Sequence, residues 1–457
     1  MQILEDLRKL VGPQHVLVGE DVAARTIALG RDIPSQALAI VRPGTVEEVS
    51  GVLQLCHHNG ISVVPHGGRT GMVYGCQTEP EQIALSLERM NEIESVDPVN
   101  RTMQVQAGVV LQTAQEKADE VDLYFPVDLG ARGTAMIGGI ISTNAGGLNV
   151  LHYGMTRENI LGLEAVLADG TIVTSLNGLI KNNTGYDMKH LFIGTEGTLG
   201  IVTRAVLRLR PKPVSRHTAM LGVMEYSGVT GILKLADQQL NLTSFEVMWD
   251  SFYRLSTEHT ATGSPPMEEH YPYYVLLESS GAGSKEEKER FEQVMLSFME
   301  TGLAGDGIVA QSEKQRLELW KIRDNTEPLL QPGSVHFDVS LPISVIDRYL
   351  EAVMKEINRL YPDATIAPFG HLGDNNLHLV VFGDATDQSA PEKIKGIVYE
   401  QLSPYHGAVS AEHGIGLDKK AYLPLSRNQQ EIGLMKLLKR SLDPKNILNP
   451  GKIFDLD

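Results

Sequence analysis

The sequence predicts an α+β fold in more than one domain, and three observations carry that reading. At 457 residues the chain is longer than a single hydrophobic core supports. From about Val214 onward, strand-like runs alternate with long helical stretches, which suits an antiparallel sheet with helices on one side. The first half instead repeats one device, a short apolar strand that opens into a cluster of glycines.

Composition narrows the function classes. The 57 Asp and Glu outnumber the 40 Lys and Arg, a formal net charge of -17, which argues against a role dominated by nucleic acid or anionic membrane. A local cluster of cations still admits a small anionic substrate. Cys56 and Cys76 form neither a disulfide framework nor a CxxC pair, which fits a reducing cytoplasm. The stretch from Met1 to Leu10 reads as an amphipathic helix with acids where a signal peptide carries basic residues. No apolar run approaches the length that spans a bilayer.

In chain order, Ala39 to Pro43 reads as a buried strand, and Thr45 caps a helix that runs to Asn59 and Gly60. The next strand, Ile61 to Pro65, ends directly in His66-Gly67-Gly68-Arg69-Thr70-Gly71. Such a loop lets backbone N–H groups approach an anion closely, as phosphate-binding loops do. A strand at Thr102 to Gly108 precedes a helix from Val110 to Val121, then Pro126 to Gly130 and a small-residue tract from Thr134 to Gly147. That tract has few bulky side chains and reads as backbone wrapped round a large ligand rather than as core. A hairpin turns at Asp169-Gly170, and Gly194 to Gly200 form a third glycine-rich loop that enters a strand at Ile201. Pro211-Lys212-Pro213 closes this half.

Beyond it, Leu221 to Met224, Phe245 to Met248 and Tyr273 to Glu278 read as strands, and Lys285 to Glu300 and Ile346 to Leu360 as helices. Met224 and Met248 read as packing residues. Trp320 to Glu327 carries Arg323, a residue type that holds a carboxylate through two parallel charge-assisted hydrogen bonds; the bland alternative is an ion pair with Asp324 or Glu327. His371 and His378 flank Gly373-Asp374-Asn375-Asn376, which is turn chemistry, so a hairpin is predicted in which Leu372 faces Leu377 and His371 faces His378. Opposed residues project from one face with Cβ atoms roughly 5 Å apart, close enough for two imidazoles to share a divalent ion. Glu412 would add a hard third ligand and leave positions open for substrate, with His413 beside it as a base.

These segments together give the chain a family resemblance. Pro65 to Thr203 is similar to the FAD-binding domain of the vanillyl-alcohol oxidase, or p-cresol methylhydroxylase, type, and the whole chain resembles the FAD-dependent D-2-hydroxyacid dehydrogenases. The resemblance implies a two-subdomain FAD-binding domain over residues 1–213, an α+β cap with an antiparallel sheet over 214–420, and a tail, 421–457, that returns to the first domain. It implies that Pro65, His66, Gly67, Gly68, Arg69, Thr70 and Gly71 wrap the pyrophosphate, with His66 itself structural. Asp128, Gly130, Gly138, Ser142, Asn144, Gly146 and Gly147 would line the adenosine and flavin, and Gly197, Gly200, Ile201 and Val202 would reach the ring system. Relatives that bind flavin covalently in that loop carry a histidine where this chain has Arg69, so non-covalent FAD is expected.

The resemblance further implies a metal held by His371, His378 and Glu412, zinc first, with manganese, cobalt and iron as alternatives. His413 is then the base, and Arg323, Thr326 and His336 meet the substrate. D-2-hydroxyglutarate is the first substrate expected; D-lactate or another D-2-hydroxy monoacid is the alternative. Two positions depart from the hydroxyglutarate branch: His336 stands where that branch has a lysine, and Val380 where it has an asparagine. With no GxGxxG after a strand and no cysteine cluster, electrons are expected to leave to an external acceptor, electron-transfer flavoprotein or quinone, with oxygen a further option. A homodimer is the expected assembly. The rival readings are a zinc hydrolase and a non-catalytic subunit of a glycolate-oxidase-like complex.

Overall fold

A computed structural model describes residues 2–28, 31–258, 266–267, 269–383 and 387–456. The chain divides into two compact units. The first comprises Met1–Gly147, Tyr153–Lys212 and Glu412–Asp457; the second comprises Leu148–His152 and Pro213–Ala411.

In the first unit, the strands run into glycine loops as their composition suggests. Val16–Leu17, Ala39–Val41, Ile83–Ser86 and Val63–His66 form one sheet in that order, and the last three run parallel. Parallel strands need a crossover, and the helix Val46–Asn59 supplies one. Thr45 caps that helix by accepting from the Glu48 amide, and Gly60 ends it in the left-handed region. A second, antiparallel sheet is ordered Ile172–Ser175, Ile160–Val166, Ile201–Arg208, Thr102–Gln106, Ile93–Asp97. The small-residue tract differs from its expectation. It winds a short helix, Ile137–Thr143, whose Ile137, Ile140 and Ile141 are buried. Three isoleucines at this spacing make one apolar face, enough to plant the tract in the core despite its glycines.

The C-terminal segment is built into this unit. The Val63 amide donates to the Ile447 carbonyl at 2.7 Å and the Asn449 amide to the Val63 carbonyl at 2.8 Å. Buried Lys439 donates to the carbonyls of Thr198 (2.8 Å) and Leu448 (2.6 Å) and to Asp443. Asp443, fully buried, also accepts from the amides of Ile447 (3.0 Å) and Leu448 (2.8 Å). One ion pair thus ties the last helix, the tail and the third glycine loop together.

The second unit is a seven-stranded antiparallel sheet. Its strand order is Asp306–Val309, Ser215–Val223, Tyr273–Gly281, Leu242–Trp249, Thr365–Gly370, Asn376–Phe382, Val335–Ser340. Helices lie on both faces, not on one as the sequence suggested. Trp320, on the helix Glu313–Asp324, donates its indole N–H to Glu278, and Phe252 of the helix Asp250–Glu258 stacks on Phe369. On the opposite face His217 meets Phe291 of the helix Lys285–Glu300, and Tyr273 donates to Asp347 of the helix Ile346–Leu360. The reason is visible in Leu242–Trp249, buried at every position: a strand apolar on both sides needs cover on both sides. Met248 is buried as expected, but Met224 is 59% exposed, lying one residue beyond the strand Ser215–Val223.

Removing one partner of a buried pair strands the other charge. Asp443→Ala should destabilise the protein by about 3–5 kcal/mol, measured as a fall in the urea midpoint of unfolding. A loss under about 1 kcal/mol would show that the pair does not hold the tail.

Candidate functional site

The glycine-rich segments converge within the first unit. A Cβ on Gly68 would stand 2.0 Å from the Thr134 carbonyl oxygen, so only glycine lets the first loop lie against the small-residue tract. Gly147, at φ +106, is more constrained still: a Cβ there would meet the Asp128 carbonyl at 1.9 Å. The Glu196 amide donates to the Ser142 carbonyl (2.8 Å), the Gly194 amide to the Ile141 carbonyl (3.1 Å), and Pro65 packs on Gly197. Gly138 packs on Ala107, Gly200 on Phe192, and Gly146, Ile201 and Val202 are buried in the same unit. Asn144 takes the left-handed cap of the short helix and accepts from the Arg157 amide, while Ser142 donates to the Gly138 carbonyl. Around Gly71 and Gly130 there is open space, and Thr70 is half-buried. Arg69 sits at φ 56, half-buried. Close-packed backbone beside open glycines is a cradle that suits a long ligand with a pyrophosphate.

His66 is buried, and its Nε2 lies 2.9 Å from the Cys76 carbonyl. A carbonyl only accepts, so Nε2 carries the proton. Burial first, then Arg69, Arg25 and Lys452, lower its pKa to about 4 against the raising effect of the Cys76 bond, so the ring is neutral and gives a phosphate no charge.

Glu196 was not singled out from the sequence. Its buried carboxylate accepts from the amides of Ile415 (2.7 Å) and Gly416 (2.9 Å). Burial pushes its pKa up against those two amides. The third glycine loop thereby holds the chain just after Glu412 and His413. Glu412 itself accepts from the Gly147 amide at 2.6 Å.

In the second unit Arg323, His371, His378 and His336 gather on one sheet face. The hairpin exists, but its register is shifted: His378 faces Phe369, and His371 lies beyond the strand end in a short 3-10 turn. Gly370 explains the shift, since it lets the Asn376 carbonyl approach to 2.5 Å from where a Cβ would stand. The two rings still lie edge to face, centroids 5.3 Å apart, with ring nitrogens within 4.8 Å. Arg323 pairs with neither Asp324 nor Glu327. It is 5% exposed, and its Nε donates to Glu246 at 2.7 Å. His371 Nδ1 lies 2.8 Å from both oxygens of Glu246. Burial opposes ionisation of Glu246, yet His371 and Arg323 hold its pKa below the ordinary value. Glu246 also escaped the sequence reading, although an acid inside Phe245 to Met248 was an available signal.

The helix bearing Arg323 is pinned a second time. Glu278 accepts from Thr218 (2.7 Å), Trp320 (2.9 Å) and Arg316 (3.0 Å). Thr326 lies in the half-buried turn after that helix. His336 and Val380 prove to be direct cross-strand partners, as are Asp338 and His378. His336 Nε2 lies 2.9 Å from Ser334 Oγ, and Val380 is buried. Asp338 accepts from Asn376 and Ser410, and its carbonyl accepts from the Ala411 amide, so the end of this unit is held against the strand pair that carries His378.

Two family descriptions match the chain: an FAD binding domain over residues 37–175 and the C-terminal domain of FAD linked oxidases over residues 212–453. The chain belongs to the FAD-linked oxidase family. It is 40% identical to a D-2-hydroxyglutarate dehydrogenase of Xanthomonas citri pv. viticola over 92% of this chain and 89% of that protein. With the mitochondrial D-2-hydroxyglutarate dehydrogenase of Bos taurus it shares 38% identity over 98% of this chain and 83% of that one. The solved structure of p-cresol methylhydroxylase has the same fold, with a TM-score of 0.76 at 18% identity, covering 99% of this chain and 96% of that one.

A neutral buried histidine makes stability depend on pH in a defined direction. His66 has a folded pKa of about 4 against 6.5 when exposed, so the unfolded chain binds the proton first and stability falls as pH drops from 6.5 towards 4. The loss should reach about 3 kcal/mol. Urea midpoints at pH 7 and pH 5 should differ more in the wild type than in His66→Gln; equal differences would refute the assignment.

Proposed function

We infer that the chain is an FAD-dependent dehydrogenase that oxidises the CH–OH group of a D-2-hydroxy acid to the 2-oxo acid. The observation that carries this reading is the Glu246–Arg323–His371 cluster with His378 on the same sheet face, in a chain whose first unit bears the flavin-type glycine cradle. D-2-hydroxyglutarate is the substrate we propose first, on the strength of the relatives that carry that name. D-lactate or another monoacid is the alternative, favoured by the apolar Val380 opposite His336.

Pro65 to Gly71, Asp128 to Gly130, Gly138 to Gly147 and Gly197 to Val202 would hold FAD without a covalent bond. His371 and His378 would hold a divalent ion, zinc first, with Glu412 as third ligand. Two imidazoles and a carboxylate also suit manganese, cobalt or iron. When bound, FAD supplies the hydride acceptor and the ion an electrophile that acidifies the α-hydroxyl. Arg323, its Nε committed to Glu246, presents its two Nη groups to the α-carboxylate, and Thr326 and His336 line the remainder of the substrate. His413 takes the hydroxyl proton. Glu196 holds His413 in place through the amides that follow it. Among the described residues no helix is long and apolar enough to cross a membrane, and both cysteines are free thiols. A cytoplasmic homodimer that passes electrons to an electron-transfer flavoprotein or a quinone completes the proposal.

The purified protein should be yellow and should bleach anaerobically with a D-2-hydroxy acid; assays with hydroxyglutarate, lactate, malate and glycolate choose among substrates. A colourless preparation that binds no added FAD would sink the reading. His413→Ala should keep its flavin spectrum but reduce it at least about 100-fold more slowly, and normal reduction would remove His413 from the chemistry. Chelation should abolish reduction without releasing FAD, with activity restored by Zn2+, Mn2+ or Co2+; full activity in metal-free protein would dismiss the ion.

A further inference from the structure

We propose that Glu246 is a positioning residue that sets which nitrogen of His371 binds metal and, with the same carboxylate, fixes the arginine that meets the substrate. The inference rests on the metal reading above. Glu246 is 1% exposed on the strand Leu242–Trp249, and its carboxylate is committed: His371 Nδ1 lies 2.8 Å from both oxygens, and Oε2 also accepts from Arg323 Nε at 2.7 Å. A carboxylate oxygen only accepts, so Nδ1 must carry the proton. His371 therefore coordinates through Nε2. Arg323 Nη2 lies 3.5 and 3.4 Å from the two ring nitrogens, at the weak end of hydrogen bonding, so it competes poorly with the bond that Nδ1–H donates to Glu246. The guanidinium also lies over Phe369, its Cζ 5.0 Å from the ring centroid, which leaves it little freedom to turn.

Glutamine keeps the shape but not the acceptor pair. In Glu246→Gln the side-chain oxygen must serve the permanently charged Arg323, and the amide nitrogen replaces Oε1, one of the two oxygens 2.8 Å from His371 Nδ1, with a donor. A donor facing Nδ1 selects the ring with its proton on Nε2, the tautomer that cannot ligate there. Co2+ titrated into metal-free, FAD-loaded protein and followed by its visible absorption should bind Glu246→Gln roughly 10- to 100-fold more weakly than wild type, with the flavin spectrum unchanged as the control for folding. Independently of any variant, 15N shifts of wild-type protein labelled in histidine, assigned with His371→Gln, should show His371 protonated on Nδ1. Equal Co2+ affinity in Glu246→Gln, or a wild-type ring protonated on Nε2 alone, overturns this inference and leaves the metal reading intact. Wild-type protein that takes up no Co2+, or whose uptake survives His371→Ala, overturns the metal reading and this inference with it.

Discussion

A carboxylate taken out of water must be met by donors, and that constraint organises both units of this protein. Glu246 and Glu278 lie on neighbouring strands and project to the same side, since Glu246 faces Leu276 and Glu278 faces Ser244 in one register. Each gathers donors from the helix Glu313–Asp324: Arg316 and Trp320 go to Glu278, and Arg323 goes to Glu246. Two points fix a rod. The helix can neither slide along the sheet nor rotate without stranding one buried charge, so the position of Arg323 follows from that of the strands. In the first unit Glu196 and Asp443 act in the same way on less regular chain. Glu196 fixes the segment after His413, and Asp443 with Lys439 fixes the tail against the third glycine loop.

What the sequence disclosed is what local chemistry determines. The helices Lys285–Glu300 and Ile346–Leu360 fall where their periodicity places them, and the first begins in a capping box at Ser284 and Glu287. The turn at Gly170 and the cap at Thr45 were legible for the same reason, because each is decided by a few adjacent residues. The second helical layer was not. Burial on both faces leaves no alternation to read, and a run such as Leu242 to Trp249 does not say how many sides are covered. The hairpin register was missed because it depends on Gly370 admitting the Asn376 carbonyl and on Asn375 adopting φ 74, choices that turn composition alone does not rank.

The cluster around Glu246 shows where legibility ended. The metal-type histidines and the glycine loops announced themselves by residue type and spacing, and the family resemblance pointed to Arg323. The common partner of His371 and Arg323 gave no such sign. Glu246 lies 77 residues from Arg323 and 125 from His371, and no local pattern links positions so far apart. The lone acid in an apolar strand signalled a buried charge that required a partner; only the sheet register said which.

The same register recasts the two departures from the hydroxyglutarate branch. His336 and Val380 are 44 positions apart in the chain but directly opposed across one strand pair, so they form one patch of the sheet face. An aliphatic side chain beside an imidazole makes a less polar patch than a lysine beside an amide, and the Ser334 hydroxyl already engages His336. The neighbouring pair on that face is Asp338 and His378, the latter a proposed metal ligand. Under the proposed function, recognition of a hydroxy acid would divide along the strands. The Glu246–Arg323–His371 group would then meet the α-carboxylate and hydroxyl common to every member of the class, and the His336–Val380 patch the end in which they differ. Changes at that patch leave the buried charges of the first group satisfied, so on the proposed reading substrate preference would shift there without disturbing the chemistry.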